Sequence, residues 1–242
     1  MTNASTITEP GRPHVWDALI DDEIRQISSK SGGPVGLGKR PALLCIDNYN
    51  AVFGDRAEPL AEAMKRFPST CGPAAWAAIA PTQRLMAAAR AAGMPVLHTT
   101  RADIEPTFGP GIYSTKRARP REYDTGWNYA LFEQLAALEG EVLVPKPRAS
   151  AFFGTAMGAR LTQLNVDTLI VCGNSTSGCI RASVTDAFMH GYRVGIVEEC
   201  VFDRNSLSHK VNLLDMHLKY ADVMFLDDVL AYVDAYSEQR QA

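Results

Sequence analysis

Asp47, Lys146 and Cys179 carry the three kinds of side chain that covalent catalysis by a thiol requires. Each lies at or just beyond the end of a short apolar run of the strand type. A thiolate is a strong nucleophile, a carboxylate can take up its proton, and an ammonium group can stabilise the charges that form. Because ligands of an open parallel sheet bind beyond the carboxyl ends of its strands, we expect the three side chains to meet at one edge of a sheet.

The environment of the thiol is set by the segment Gly173-Asn-Ser-Thr-Ser-Gly-Cys179, after which a helical pattern begins. The positive end of a helix dipole, together with Lys146, is expected to lower the pKa of the Cys179 thiol. The turn before Cys179 can direct backbone N–H groups at a developing oxyanion. Taken singly, Asp47 could cap a helix, Lys146 could be an exposed loop lysine, and Cys179 could be a small apolar filler. Their joint occurrence favours the catalytic interpretation.

The elements that would bring these residues together alternate along the chain. Six apolar runs predict buried strands, and helical patterns lie between most of them. Such alternation is typical of an α/β fold, here a single-domain, doubly wound, six-stranded parallel sheet with helices on both faces. The predicted strands are 42–46, 96–99, 142–144, 169–172, 194–197 and 223–226. The predicted helices are 74–92, 129–138 and 156–164, with apolar stripes at 180–188 and 211–218 marking two more.

Two segments lie outside this alternation. Residues 1–35 are predicted to form an N-terminal arm with one helix over 15–27, preceding an enzyme domain at 36–242. The segment 101–127 has no clear periodicity and is rich in proline and glycine, which is typical of a functional loop or an interface. Its basic cluster is predicted to be a solvated face or a subunit contact. That cluster consists of Lys116, Arg117, Arg119 and Arg121.

The composition excludes several classes of protein. The chain has 242 residues and a net charge of −3, with 46% hydrophobic and 21% charged residues, as is typical of a globular domain. The slight acidity argues against nucleic-acid binding, and no apolar run approaches the roughly 18 residues that a membrane span needs. The N-terminus lacks the basic start and apolar block of a secretory signal, so we expect a cytoplasmic protein.

The cysteines and histidines indicate neither a disulfide framework nor a metal site. The five cysteines include no Cys-x-x-Cys pair, and we interpret Cys45, Cys71, Cys172 and Cys200 as structural. No histidine pair follows Asp47 at the spacing of metal ligands, and no glycine-rich phosphate loop follows a strand. We therefore predict no metal and no cofactor.

Three segments resemble the isochorismatase-like cysteine hydrolases, and among them the N-carbamoylsarcosine amidohydrolase branch. The resemblance extends over about residues 36–230. Cys200-Val-Phe-Asp-Arg204 adds to it, although Phe202 stands where that branch has glycine. The three segments are Lys39-Arg-Pro-Ala-Leu-Leu-Cys-Ile-Asp47, Val144-Pro-Lys-Pro-Arg-Ala-Ser-Ala-Phe-Phe-Gly-Thr155 and Gly173-Asn-Ser-Thr-Ser-Gly-Cys-Ile-Arg-Ala182.

The resemblance implies the isochorismatase-like hydrolase fold and a catalytic triad that falls on Asp47, Lys146 and Cys179. It speaks against nicotinamidase activity, because nicotinamidases use a metal near the aspartate and this chain lacks the histidines to hold one. It also speaks against isochorismatase activity proper, because those enzymes lack the catalytic cysteine. The segment 53–72 differs from simpler members and is expected to line or cover the pocket.

The resemblance further implies how the reacting group is held. A cis peptide bond is expected between Asn174 and Ser175, with the N–H groups of Ser175 and Cys179 forming an oxyanion hole. Arg204 falls where an arginine holds the substrate carboxylate in that branch, with a surface ion pair as its ordinary alternative. Asn174 and Thr176, which flank Ser175, are also predicted to contact the substrate.

These expectations together predict a cysteine-dependent amidohydrolase. It would cleave a linear amide or ureido C–N bond of a small, carboxylate-bearing substrate resembling N-carbamoylsarcosine, and release ammonia through a thioester. Alternatives with the same triad are amidases for maleamate, biuret, ureidoacrylate or another small amide. A non-catalytic binding protein is less favoured, because binding alone does not require all three residues. The partners predicted are a small amide and, from the resemblance, further copies of the chain in a homodimer or homotetramer, with no nucleic acid and no membrane.

Overall fold

A six-stranded sheet forms the centre of the computed structural model, which describes residues 12–28, 30, 33–102 and 126–241. Its strands are β1 (Pro41–Ile46), β2 (Val96–Arg101), β3 (Val142–Lys146), β4 (Thr168–Asn174), β5 (Arg193–Phe202) and β6 (Asp222–Met224). They are ordered β3-β2-β1-β4-β5-β6, and every neighbouring pair is parallel. The predicted α/β class with six parallel strands is confirmed.

Helices occupy both faces of this sheet, and their bounds in the described ranges are as follows. Before β3 lie α1 (Asp22–Ser28), α2 (Asn50–Phe53), α3 (Leu60–Arg66), α4 (Pro73–Ala77), α5 (Ile79–Ala91) and α6 (Gly126–Tyr129). After β3 lie α7 (Met157–Gln163), α8 (Arg181–Met189), α9 (Ser206–Lys219) and α10 (Leu226–Gln241). None of these helices is long and apolar enough to cross a membrane.

The core forms two apolar layers, one on each face of the sheet. Along β1 the side chains of Leu43 and Cys45 enter one layer with α5 and α10. The alternate residues Ala42, Leu44 and Ile46 enter the other layer with α7, α8 and α9. Because both faces of a parallel sheet are covered, all six residues of β1 are buried, which explains its continuous apolar sequence.

The strand order places a crevice between β1 and β4. The chain runs outward in one direction through β1, β2 and β3, and in the other through β4, β5 and β6. Connections that leave two adjacent strands toward opposite sides open a space beyond their carboxyl ends. Asp47 directly follows β1, and Cys179 lies in the turn that follows β4, so the fold brings both residues to this crevice.

Several predicted helices differ from those observed. The stripe at 74–92 forms two helices, α4 and α5, which meet at Ala78. The helix predicted at 129–138 is wrong, since this stretch holds only the end of α6 and a short 3₁₀ turn at Glu133–Leu135. The last predicted strand extends too far, because Leu226 already begins α10. The long helix α10 was not predicted.

The N-terminal arm also differs from the single helix predicted over 15–27. It forms a 3₁₀ turn at Asp17–Leu19 and then α1, because Asp21 accepts hydrogen bonds from Ile24 N–H and Arg25 N–H and so begins a new helix. Trp16, just before the 3₁₀ turn, is buried in the same layer as Leu44. The arm is therefore anchored to the core before α1 begins.

Three sequence predictions concern residues outside the described ranges, at least in part. The loose tail at 1–10 and the basic cluster in the segment 101–127 lie wholly outside them. Of the segment 101–127 itself, the structure describes the end of β2 and the start of α6. The boundary between an arm at 1–35 and a domain at 36–242 stays a prediction.

Candidate active site

Asp47, Lys146 and Cys179 come together at the carboxyl edge of the sheet. The Lys146 Nζ lies 2.8 Å from Asp47 Oδ2 and 3.5 Å from the Cys179 sulfur. The Asp47 carboxylate lies close enough to the Cys179 thiol to raise its pKa. The three side chains come from the ends of β1 and β3 and from the turn after β4. They lie together, as their positions at the ends of predicted strands indicated.

Lys146 is the last residue of β3, which lies two strands away from β1. Its long side chain crosses the position of β2, and its ammonium group meets three acceptors: Asp47, Cys179 and the carbonyl oxygen of Arg148 at 3.1 Å. Burial lowers the pKa of Lys146, but the nearby Asp47 and Cys179 raise it above its ordinary value overall. The ammonium group therefore stays charged.

Asp47 is held at both its backbone and its carboxylate. Its φ of 54° lies in the left-handed region, which residues other than glycine seldom adopt. Its N–H donates to Thr99 Oγ1 at 2.9 Å, and the same hydroxyl donates to Asp47 Oδ1 at 2.7 Å. The Asn174 side-chain amide donates to the Asp47 carbonyl oxygen at 2.6 Å. These bonds aim the carboxylate at Lys146 and Cys179.

Cys179 lies in a single π-helical turn, Thr176–Ile180, that leads directly into α8. The carbonyl oxygen of Ser175 begins this turn by accepting from Gly178 N–H at 2.8 Å and Ile180 N–H at 3.2 Å. Asp203, which follows β5, accepts from both the N–H and the hydroxyl of Ser177. A carboxylate at the start of a helix satisfies donors that the helix leaves open. The turn that contains Cys179 is therefore held in place by Asp203, which follows the neighbouring strand β5.

The resting thiol is protonated, contrary to the pKa predicted from the sequence. Burial and, after it, the adjacent Asp47 together raise the pKa of Cys179 to about 12, and Lys146 only partly opposes them. The prediction considered the helix N-terminus and the lysine, and it did not include the desolvation of the thiol or the negative charge of its own base. Cys179 still keeps some exposed surface, as a nucleophile that must meet a substrate requires.

The peptide bond between Asn174 and Ser175 is cis, as the resemblance implied. The N–H groups of Ser177, Gly178 and Ile180 already have acceptors within the protein. The oxyanion hole assigned to the N–H groups of Ser175 and Cys179 stays a prediction.

Polar side-chain atoms of Asn174 and Thr176 have partners inside the protein, and the substrate contacts of these two residues stay a prediction. Thr176 has 0% exposure, and its hydroxyl is hydrogen-bonded to His209 Nδ1 at 2.8 Å. The Asn174 amide is committed to Asp47, and its side-chain oxygen accepts from the Ser175 hydroxyl at 3.2 Å. Both side chains brace the nucleophile turn, because their polar atoms already have partners inside the protein.

Arg204 lies just beyond Asp203, at the end of β5, on the same side of the sheet as the triad. Its guanidinium donates to the carbonyl oxygens of Pro68 and Ser69, both at 2.8 Å. Its backbone and the Ser175 hydroxyl both contact the Cys71 thiol. In space, Cys71 thus lies between Arg204 and Ser175 of the nucleophile turn. Arg204 also holds the segment 53–72, which is expected from the sequence to line the pocket.

Sequence reasoning missed several residues that support the triad. Thr99, which holds Asp47, belongs to no motif, and Asp203, which holds the nucleophile turn, lies within Cys200-Val-Phe-Asp-Arg204 but was given no role there. The phenol of Tyr49 lies close to the Asp47 carboxylate, and burial first, then Asp47, raises the pKa of Tyr49. A signal for Thr99 existed in its position near the end of β2, beside β1. Within the described ranges, no group of three His, Cys, Asp or Glu side chains could hold a metal ion.

Comparison with known proteins places this arrangement in a family. The family model described as the isochorismatase domain matches residues 41–228, which include the whole triad. The chain belongs to the isochorismatase family. The resemblance that the sequence motifs indicated is therefore confirmed.

Members of this family with known activities resemble the chain over most of its length. A maleamate amidohydrolase of Pseudomonas putida is 38% identical over 201 residues, covering 82% of this chain and 89% of its own. An N-carbamoylsarcosine amidase of Arthrobacter is 36% identical over 207 residues, covering 83% and 74%. Both are amidohydrolases, which agrees with the predicted class of hydrolases acting on carbon–nitrogen bonds other than peptide bonds.

A solved structure supports the same fold. The cysteine hydrolase from Pseudomonas syringae pv. phaseolicola 1448A superposes with a TM-score of 0.69 at 19% identity, covering 85% of this chain and 97% of the other. At this identity the likeness concerns the fold alone. It agrees with the predicted isochorismatase-like architecture.

Proposed function

We propose that this chain is a cysteine-dependent amidohydrolase that cleaves a linear amide or ureido C–N bond of a small substrate bearing a carboxylate. The observation that carries the proposal is the contact of the Lys146 ammonium with both the Asp47 carboxylate, at 2.8 Å, and the Cys179 sulfur, at 3.5 Å. A base, a cation and a thiol at these distances are the parts of an activated nucleophile. The activities of the maleamate and N-carbamoylsarcosine relatives support the bond type.

The first half of the reaction forms a thioester. As the Cys179 sulfur attacks the substrate carbonyl carbon, Asp47 takes the thiol proton, because a thiol with a pKa of about 12 cannot attack as a preformed thiolate. The carbonyl oxygen becomes an oxyanion held by the N–H groups of Ser175 and Cys179. The C–N bond then breaks, and the protonated Asp47 returns its proton to the nitrogen, which departs as ammonia.

The second half hydrolyses the thioester. Asp47, again a carboxylate, takes a proton from a water molecule that attacks the acyl carbon. The C–S bond breaks, the carboxylic or carbamic product leaves, and the sulfur regains its proton from Asp47. Lys146 remains protonated throughout and stabilises whichever of its two neighbours carries the negative charge.

Arg204 supplies the anchor for the substrate carboxylate in this proposal. A guanidinium presents five donors, so a side chain that already donates to the carbonyl oxygens of Pro68 and Ser69 retains further N–H groups for an anion. The Arg204 backbone and the Ser175 hydroxyl both lie near the Cys71 thiol, which supports a substrate carboxylate bound near the nucleophile turn. Maleamate and N-carbamoylsarcosine both join a carboxylate to a terminal amide or ureido group, and we propose both as substrates to test.

Ammonia release from a panel of small amides tests the proposal. We expect the wild-type enzyme to release ammonia from maleamate, N-carbamoylsarcosine or ureidoacrylate, and Cys179→Ala to lower kcat by about a thousandfold or more while remaining folded. Cys172→Ala, which removes a buried thiol in β4 from outside the triad, is the matched control and should retain activity.

Two outcomes would contradict the proposal in different ways. Equal rates for wild type and Cys179→Ala would exclude the thioester route. An absence of ammonia from every amide, combined with saturable binding of a carboxylate ligand, would favour the alternative of a non-catalytic binding protein. Mass spectrometry of rapidly quenched enzyme offers a direct readout, because an acyl group on the peptide that contains Cys179 identifies the intermediate.

A further inference from the structure

Thr99 makes two hydrogen bonds to one residue, and that residue is the base of the triad. The Thr99 hydroxyl oxygen accepts from the Asp47 N–H at 2.9 Å and donates its proton to Asp47 Oδ1 at 2.7 Å. A hydroxyl can accept and donate at the same time, which no apolar side chain of similar shape can do. Thr99 therefore fixes the backbone and the carboxylate of Asp47 relative to each other.

The place of Thr99 in the sheet explains how it reaches Asp47. Thr99 lies on β2, the strand between β1 and β3, so it stands between the strands that deliver Asp47 and Lys146. Side chains of a strand alternate between faces, and Leu97, two residues before Thr99, enters the same core layer as Val144, two residues before Lys146. Thr99 and Lys146 therefore point to the same face. The Lys146 side chain approaches Oδ2 while Thr99 holds Oδ1.

We propose that Thr99 is a positioning residue of the reaction, holding the Asp47 carboxylate between the Lys146 ammonium and the Cys179 thiol. This proposal rests on the role of Asp47 as proton acceptor in the proposed function. Thr99 touches neither substrate nor the reacting sulfur, and it acts through Asp47.

The conformation of Asp47 explains why such a residue is needed. A φ of 54° is costly for a residue that has a Cβ atom. The surroundings of Asp47 must therefore hold its backbone in this conformation. Thr99 has 0% exposure, so its two bonds are not exchanged with water. Loss of the hydroxyl would leave the Asp47 N–H without this acceptor and Oδ1 without this donor, and the carboxylate would be free to turn away from the thiol.

A second buried hydroxyl group supports this arrangement. The phenol of Tyr49 lies close to both the Asp47 carboxylate and the Thr99 hydroxyl. Tyr49 is itself fixed by an edge-to-face contact with Tyr129, whose ring centroid lies 5.7 Å away. Asp47 is thus surrounded by donors from three directions: Thr99, Tyr49 and Lys146. Donors that agree on one carboxylate orientation are what a precisely aimed base requires.

Thr99→Val and Thr99→Ser together test the proposal through steady-state kinetics on the amide that the wild type hydrolyses. We expect Thr99→Val to lower kcat roughly 10- to 100-fold with KM changed less than about threefold, because proton transfer is impaired and substrate contacts are kept. Thr99→Ser retains the hydroxyl and should restore kcat to within about fivefold of wild type. Thr100→Val, the same substitution at the next position and on the opposite face of β2, should leave kcat unchanged.

A second readout needs no substrate. A nearby Asp47 raises the pKa of the Cys179 thiol. If Thr99→Val lets the carboxylate turn away, that pKa falls, and alkylation of Cys179 by iodoacetamide at pH 8 becomes faster by several-fold. Peptide mass spectrometry measures Cys179 separately from the four buried cysteines. This arm keeps the proposal testable even if none of the chosen amides is a substrate, so a failure of the proposed function is distinguished from a failure of the positioning role.

The outcomes divide as follows. Slow turnover at unchanged KM in Thr99→Val, rescue in Thr99→Ser, and faster alkylation confined to Cys179 support positioning. Wild-type kcat and a wild-type alkylation rate in Thr99→Val overturn it. Faster alkylation of Cys71 and Cys172 together with Cys179 also overturns it, because that pattern shows a general loosening of the fold. If Thr99→Val does not fold, Thr99→Ala and Thr99→Ser are compared by the same two measurements.

Discussion

Cys179 lies where burial and the start of a helix act in opposite directions on its thiol. Burial prevails, and together with the nearby Asp47 it raises the pKa of the Cys179 thiol to about 12. In the resting site, Cys179 is therefore a neutral thiol and Asp47 is a carboxylate paired with Lys146. In the proposed reaction, activation of the sulfur accompanies attack on the substrate, because Asp47 is in place to accept the proton. This arrangement protects a cysteine with exposed surface from adventitious oxidation and alkylation.

The raised pKa predicts how Cys179 responds to pH in the free enzyme. Below the pKa, the thiolate fraction rises about tenfold for each pH unit. Alkylation by iodoacetamide should therefore accelerate about tenfold for each pH unit from pH 7 to pH 10, without a plateau. A plateau near neutral pH would show instead that the thiolate is present at rest. Asp47→Asn removes the negative charge beside the thiol and should raise the alkylation rate at each of these pH values.

Individual site residues could be predicted where their position relative to a strand end was visible. Asp47 and Lys146 follow apolar runs, and Cys179 follows a run and opens a helix, so the rule for parallel sheets was enough to bring them together. Thr99 ends the predicted strand 96–99, but this position alone did not reveal its contact with Asp47. Its role depends on β2 lying beside β1 with the observed register, and sequence alone does not fix which strands are neighbours.

The end of β4 is the element on which the geometry of the nucleophile depends. Gly173 has a φ of +111°, and a Cβ atom built on it would lie 2.0 Å from the carbonyl oxygen of Ile46 in β1. The two backbones therefore approach more closely than any side chain allows. This approach places the segment after β4 against Asp47, whose carbonyl oxygen is bonded by Asn174.

Gly173→Ala is consequently expected to be severely destabilising. Both the contact with backbone and the positive φ oppose the added methyl group, so the free energy of unfolding should fall by more than about 4 kcal/mol, measured by urea denaturation or by loss of soluble protein. Gly158→Ala in α7 is the matched control. No atom lies within 4 Å of its added Cβ, and a helical alanine should raise the free energy of unfolding by about 0.5–1 kcal/mol. Similar unfolding curves for the two variants would contradict the close approach.

Elements were predicted best where burial on two faces imposes a continuous apolar run. All six strands fall on apolar runs, and β1 and β4 are buried at every residue because both sides of the parallel sheet are covered there. The stretch 129–138 misled the same reasoning, since its apolar residues pack on the core from an irregular segment with one 3₁₀ turn. The π-helical turn that carries Cys179 also has no periodic signal, because it extends over only five residues.

At the scale of the whole molecule, distant parts of the chain meet around the triad. The arm inserts Trp16 into the core layer that contains Leu44 of β1. Arg204, after β5, fastens the carbonyl oxygens of residues 68 and 69, which precede α4. The assembly into a homodimer or homotetramer stays a prediction, as does the part that the segment 101–127 plays in the site.

Arg204 follows β5 and contacts the segment 53–72. Its substitution can therefore distinguish a role in substrate binding from a role in holding this segment. If Arg204 anchors the substrate carboxylate, Arg204→Ala should raise KM for maleamate or N-carbamoylsarcosine by about 10- to 100-fold and leave KM for a neutral amide nearly unchanged. An equal increase for charged and neutral amides would show that Arg204 only holds the segment 53–72. Arg84→Ala, which removes an exposed arginine paired with Asp227, serves as the control for loss of positive charge.

The sequence by itself determined the α/β class and the family, and it predicted the three residues of the proposed triad. It could do so because buried parallel strands require continuous apolar runs, and because the residues just beyond them face a common edge. Only the tertiary structure decided the protonation state of Cys179 and the support given by Thr99, Tyr49 and Asp203. Desolvation and hydrogen-bond direction depend on which atoms surround a group in space, and a linear sequence does not contain those distances.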